Sequence, residues 1–266
     1  MLGQRLITAV IGIPVFLYLL YHGGGPLVWV TVLLSLGTAL ELTTVLRRVG
    51  VRLESWVFLP AAVLLPLLAG HYGAELLLLG LALVLFAASM LMVGRFSRGP
   101  APPFETAAMT IAWTVAATLT IPVFWAYLPL LREQGLGWVF LATAITWATD
   151  SGAYFVGLAL RGPRLVPRLS PKKTWSGLVG GTGAGVLAAA AVNHLFPLLS
   201  PPLILGVGLT AALVGQAGDL WMSLLKRFTG VKDTGHILPG HGGLLDRFDS
   251  FLFVLAWTYL VASLLR

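Results

Sequence analysis

The chain has no cysteine, which excludes disulfides, a thiolate nucleophile and a zinc–sulfur centre. Charge is also scarce. Asp and Glu number 10 and Lys and Arg 17 in 266 residues, so 10% of the chain is charged while 58% is hydrophobic. A soluble domain of that length cannot cover its surface with so few charges, and the composition is that of an integral membrane protein. The formal charge of +7 would suit a nucleic-acid binder, but in an apolar chain it reads as loop Lys and Arg that orient the spans, with no nucleic acid as partner. The first 25 residues lack a small-residue cleavage site, so the apolar run from Arg5 to Tyr21 reads as a retained first span.

Crossing a hydrocarbon core of roughly 30 Å takes about 20 apolar residues. Nine runs qualify, near 4–22, 26–46, 55–71, 74–94, 105–127, 136–160, 177–197, 202–225 and 248–265. The breaks carry turn residues or charges, as at Gly23-Gly24-Gly25-Pro26 and Ser200-Pro201-Pro202. The expected fold is therefore all-α and polytopic, with about nine transmembrane helices. With the N-terminus inside, Arg5, Arg47, Arg48, Arg52, Arg95, Arg98, Arg161, Arg164, Arg168, Lys172, Lys173, Lys226, Arg227, Lys232 and Arg247 all fall on the cytoplasmic side. Only Arg132 and Arg266 of the 17 basic residues fall outside. The positive-inside rule then gives an N-in/C-out topology in a plasma (cell inner) membrane. Residues 1–104 read as a packing region, where Glu41 is the polar exception. Residues 105–266 read as a catalytic region with cytoplasmic loops 161–176 and 226–247, the side on which soluble nucleotides are found.

The stretch from Gly218 to Ser250 gathers the polar residues. Gln216, Asp219, Ser223 and Lys226 share one face of a helix, with Arg227 beside them. Asp246 and Asp249, three apart, share another face. Carboxylates suit a hard cation and the neighbouring cations suit phosphate oxygens. Asp219 and Asp246 read as Mg²⁺ ligands, with Asp249 either a third ligand or an acceptor that orients Arg247. Asp150 lies eleven residues before Arg161, about 16 Å deep at a helical rise. There it needs a partner and a polar cavity.

A basic loop ends in Ser170-Pro171-Lys172-Lys173-Thr174-Trp175, just before the seventh span, and a helix N-terminus favours phosphate. Gly177, Gly181 and Gly185 repeat a GxxxG spacing that reads as close helix packing. Gly240, Gly242 and Gly243 surround His241 and would let backbone N–H groups approach an anion. His236 and His241 read equally as phosphate donors and as structural loop residues.

Three segments together resemble the phosphatidate cytidylyltransferase family: Ser223-Leu-Leu-Lys226-Arg227, Lys232-Asp233-Thr-Gly235 and Leu-Pro239-Gly-His241-Gly242-Gly243-Leu-Leu-Asp246-Arg247-Phe-Asp249. Asp150-Ser-Gly-Ala-Tyr154, Ser170-Pro-Lys-Lys173-Thr-Trp175 and Gly218-Asp219-Leu are similar to it too. The chain departs from the family's usual pattern at Arg161-Gly-Pro163-Arg164-Leu165 and at Ser176. The resemblance implies the reaction CTP + phosphatidate → CDP-diacylglycerol + pyrophosphate. It implies catalytic roles for Asp219, Asp246, Lys226, Arg227, Asp249 and Arg247. Contacts to CTP and phosphate would come from Lys172, Lys173, Thr174, Ser170, Asp150, Ser223, Lys232, His241, Gly242 and Gly243. It further implies Mg²⁺, a second monovalent cation such as K⁺, and a homodimer. Two alternatives stand beside it: a CTP-dependent enzyme acting on another lipid phosphate or a polyprenol, and an ion-coupled transporter in which Asp150 and Asp219 line the ion path.

Overall fold

The structure, a computed structural model, describes residues 2–98, 103–235, 237 and 242–265. Among these, the elements in order are α1 (Leu2–His22), α2 (Gly24–Arg47), α3 (Ser55–Tyr72), α4 (Glu75–Arg98), α5 (Phe104–Thr120), α6 (Pro122–Gln134), α7 (Leu136–Leu160), β1 (Arg164–Val166), β2 (Ser170–Thr174), α8 (Trp175–Leu195), α9 (Pro201–Phe228) and α10 (Leu245–Leu264). Among the described residues, 7 helical stretches are long and apolar enough to cross a membrane: α2, α3, α4, α5 together with α6, α8, α9 and α10. α1 is 21 residues long and apolar from Leu6 to Tyr21. The 25-residue α7 has the length, but its middle carries Thr143, Thr146, Thr149, Asp150 and Ser151. Large apolar side chains such as Leu78, Phe86, Leu187 and Leu195 face outward, as suits a lipid-facing surface. The chain is an all-α polytopic membrane protein.

Two local features differ from the sequence expectation. The run 105–127 is not one straight helix but α5 and α6, which meet at Ile121 (φ −111°, ψ −76°). Pro122 has no N–H to give and disfavours helical geometry at the residue before it, so the ladder breaks there. The loop 161–176 contains an antiparallel hairpin, in which Arg164 pairs with Thr174 and Val166 with Ser170. Pro171 is tolerated because a two-stranded ladder is all edge.

The chain divides into two compact units, Met1–Leu130 with Asp233–Leu245, and Leu131–Lys232 with Asp246–Arg266. In the first, α2 packs on α3 and α3 on α4. The fully buried Trp125 donates from Nε1 to Thr38 Oγ1 at 3.0 Å, which ties α6 to α2. Glu54, only 1% exposed, receives both terminal nitrogens of Arg95 at 2.5 and 2.9 Å, and its backbone N–H donates to Thr114 Oγ1 at 2.9 Å. The bidentate geometry is the strong form of this pairing.

In the second unit α7, α8 and α9 form the central bundle. Gly177, Gly181 and Gly185 turn toward α7. A methyl group built on Gly181 would meet the Thr149 carbonyl at 2.7 Å, and one on Gly177 the Ala153 carbonyl at 2.8 Å. The backbones approach because nothing intervenes, as the small-residue spacing requires. Gly183, on the same helix, has open space around it. Gly181→Ala is therefore expected to cost about 1–3 kcal/mol of stability, because the obstruction is backbone and cannot rotate away. Gly183→Ala should cost nothing. Thermal unfolding in detergent compares the two, and equal melting temperatures would contradict this packing.

Candidate active site

The second unit gathers acidic and basic side chains from four elements. Alternation along β2 sends successive side chains to opposite faces. Lys172 is exposed and Lys173 turns inward. The Nζ of Lys173 is shielded from solvent and faces Asp219 Oδ2 at 2.6 Å, paired by charge rather than by an aligned hydrogen bond. Seven residues further along α9, Lys226 lies on the same face as Asp219 and donates from Nζ to Asp246 Oδ1 at 2.9 Å. Asp246 stands in the first turn of α10 with its side chain 3% exposed.

One turn further along α10 are Asp249 and Ser250. Asp249 Oδ1 accepts from the Ser250 N–H at 2.8 Å, and its carboxylate lies within electrostatic reach of Asp219, Lys226 and Asp150. Ser250 Oγ donates to Asp150 Oδ2 at 3.1 Å, bringing α7 into the group, and Asp150 in turn senses Asp219 and Lys173. Asp150 remains exposed in mid-helix. In a membrane chain such a carboxylate has to face water or a polar ligand rather than lipid.

The remaining predicted residues are distributed around this group. Thr174 is buried and accepts from the Gly177 N–H at 3.0 Å, so it is the N-cap of α8. Ser170 begins β2, and Ser223 is half-buried on α9 between Asp219 and Lys226. Arg227 donates from Nε to the Leu169 carbonyl at 3.2 Å, at the turn of the hairpin. Lys232 and Arg247 are exposed. Gly242 and Gly243 belong to the first unit, where Gly243 lies against the Glu41 carboxylate and Thr234. His236 and His241 lie outside the described residues. Ser250 had no assigned role in the sequence reading, although its position four residues after Asp246 places it on the Asp246 side of α10.

The donor set bears on cations. Among the described residues no three His, Asp or Glu side chains converge as a ready cage. Mg²⁺ asks for less, one or two carboxylates with water and substrate oxygens completing the shell. Asp150, Asp219, Asp246 and Asp249 against Lys173 and Lys226 leave a formal charge of −2, which one divalent ion would neutralise. The residues present fit such an ion. Asp219, a third exposed, is more open to it than Asp246.

Residues 3–265 match the Cytidylyltransferase family. The chain belongs to that family. It is 34% identical over 278 residues to the phosphatidate cytidylyltransferase of Bacillus subtilis (strain 168), covering 98% of this chain and 97% of that protein. It is 32% identical over 263 residues to that of Staphylococcus aureus (strain COL), covering 94% and 95%. Its identity to that of Staphylococcus epidermidis is 34% over 257 residues with the same coverage. Membership makes the chain a CTP-using nucleotidyltransferase rather than an ion-coupled transporter.

The Lys226–Asp246 pair is buried on the acidic side, and removing one partner strands the other. Lys226→Met should destabilise by about 3–5 kcal/mol, and adding Asp246→Asn should recover most of that loss. Melting of both variants in detergent decides it, and a double variant no more stable than the single one would show that the pair is not what is lost.

Proposed function

We propose that the chain catalyses CTP + phosphatidate → CDP-diacylglycerol + pyrophosphate at the cluster formed by Asp150, Lys173, Asp219, Lys226, Asp246 and Asp249. The observation that carries this is the convergence of four carboxylates and two ammonium groups from α7, β2, α9 and α10, in a chain of the cytidylyltransferase family. The relatives named above are phosphatidate cytidylyltransferases matched over nearly their whole length, which supports the same acceptor here.

A phosphate oxygen of phosphatidate attacks the α-phosphorus of CTP. The new P–O bond forms as the bond to the bridging oxygen breaks, and pyrophosphate leaves with that electron pair. No general base is needed because the attacking phosphate is already anionic. The protein's task is to hold two polyanions together and to offset the charge that builds on them. Lys226 and Arg227, at the end of a membrane helix, are placed by this reading at the lipid phosphate. Lys173, Lys172 and Ser170, together with the N-terminus that Thr174 caps, would take CTP phosphates. Ser223, Lys232 and Arg247 complete the substrate contacts.

Asp219, Asp249 and Asp246 are the residues that would hold Mg²⁺, which would supply neutralisation of phosphate charge, and a monovalent cation such as K⁺ is proposed beside it. The wider reading is of a homodimer in the plasma membrane with nine spans, N-in/C-out. Residues 1–104 would serve packing, and residues 105–266, with cytoplasmic loops 161–176 and 226–247, would serve chemistry.

Asp246→Asn removes a carboxylate at nearly constant shape and is expected to abolish turnover in protein that still folds, with a lowered melting temperature because Lys226 loses its partner. Assay across a Mg²⁺ titration, with the melting temperature as the folding control, checks this. Near-normal turnover at limiting Mg²⁺ would refute the assignment.

Orientation has its own test, helped by the absence of native cysteine. Single cysteines replacing the exposed Arg168 and Leu265 are predicted to react differently with an impermeant maleimide applied to spheroplasts. Position 265 should label, and position 168 only after lysis. The reverse pattern would invert the topology.

A further inference from the structure

α10 carries two of the carboxylates of the site, and its first N–H groups draw on a distant acceptor. The first N–H groups of any helix lack intrahelical acceptors and need partners. Preceding Leu245 is Leu244, a side chain with no acceptor. The acceptor comes from α2 instead. Glu41, only 4% exposed, receives the Leu244 N–H on Oε1 and the Leu245 N–H on Oε2, both at 2.9 Å, and the Thr234 hydroxyl on Oε2 at 3.2 Å. These donors lie 193 to 204 residues along the chain from Glu41.

The surroundings are shaped to that carboxylate. A methyl built on Gly243 would fall 2.6 Å from Glu41 Oε2, and one on Gly235 would also collide with the carboxylate. Four residues before Glu41, a methyl on Gly37 would meet the Leu244 side chain at 2.6 Å, so Leu244 packs against the same face of α2. The anion beside Gly243 is the protein's own.

We infer that Glu41 is a positioning residue for the reaction: by capping α10 from outside, it fixes the register at which Asp246 and Asp249 leave the first turn. A negative charge at a helix N-terminus is favourable, and hydrogen bonds to a carboxylate are about twice as strong as neutral ones. Slipping the start of α10 by one residue would turn Asp246 by about 100° around the helix axis, away from Lys226. The consequence for turnover rests on the roles proposed above for Asp246 and Asp249. The placement of α10 does not.

The test uses spin labels on the full-length protein, again helped by the absence of native cysteine. Exposed Leu224 on α9 and Leu260 on α10 form the reporting pair, and exposed Leu187 on α8 with Leu209 on α9 form the control. In Glu41→Gln, whose amide turns a donor toward the N–H groups, the 224–260 distance distribution should broaden or shift while 187–209 stays narrow. Turnover per folded molecule should fall about tenfold to a hundredfold. Half-saturating Mg²⁺ should rise, which a loss of folded protein alone would not produce.

Thr234→Val, which removes the hydroxyl donor to Glu41, should move the same readouts less, and serves if Glu41→Gln does not fold. An unchanged 224–260 distribution would overturn the inference. So would a displaced α10 with full turnover. Failure of the site assignment is seen separately, as turnover that survives Asp246→Asn.

Discussion

In a chain only 10% charged, a carboxylate away from water is costly unless donors meet it, and both compact units are organised around supplying those donors. Glu54 has Arg95, Glu41 has two backbone N–H groups and a hydroxyl, Asp246 has Lys226, and Asp219 has the charge of Lys173. The partners come from other elements in each case. These contacts hold tertiary positions that apolar packing alone leaves loose, since one lipid-facing leucine slides past another at little cost.

The second constraint is closeness of backbone. Gly177 and Gly181 let α8 lie against α7 with carbonyls where side chains would otherwise stand, and Gly185 makes room for the Thr149 hydroxyl. That approach brings the Thr174 cap and β2 to α7, and β2 carries Lys173. Strand alternation then separates two adjacent lysines, sending Lys173 inward to Asp219 and Lys172 outward. An acidic cluster with embedded ammonium groups is suited to handling phosphate: it can take up a divalent ion on its carboxylates and present cations to phosphate oxygens from the same few elements.

Much of this was legible in the sequence. Apolar runs located the long helices, and helical spacing put Asp219 with Lys226 and Asp246 with Asp249. What was not legible has physical reasons. The break at Ile121 follows from Pro122 inside an unbroken apolar run, where hydropathy carries no signal. The hairpin was read as loop because its strands have 3 and 5 residues and one contains Pro171. Lys173 with Asp219, Ser250 with Asp150, and Glu41 with Leu244 and Leu245 join residues far apart in the chain, and no local period encodes such pairs. Glu41 was visible as a lone acid in an apolar helix, but its partners were not.

The most direct test of the central claim follows the two ends of the CTP triphosphate in parallel. Purified protein in detergent is given phosphatidate, Mg²⁺ and CTP labelled on either the α- or the γ-phosphate, and the lipid extract is counted. Cytidylyl transfer predicts α-label in the lipid and γ-label in water-soluble pyrophosphate. Label from γ alone in the lipid would mean phosphoryl transfer by a CTP-dependent kinase and would contradict the account.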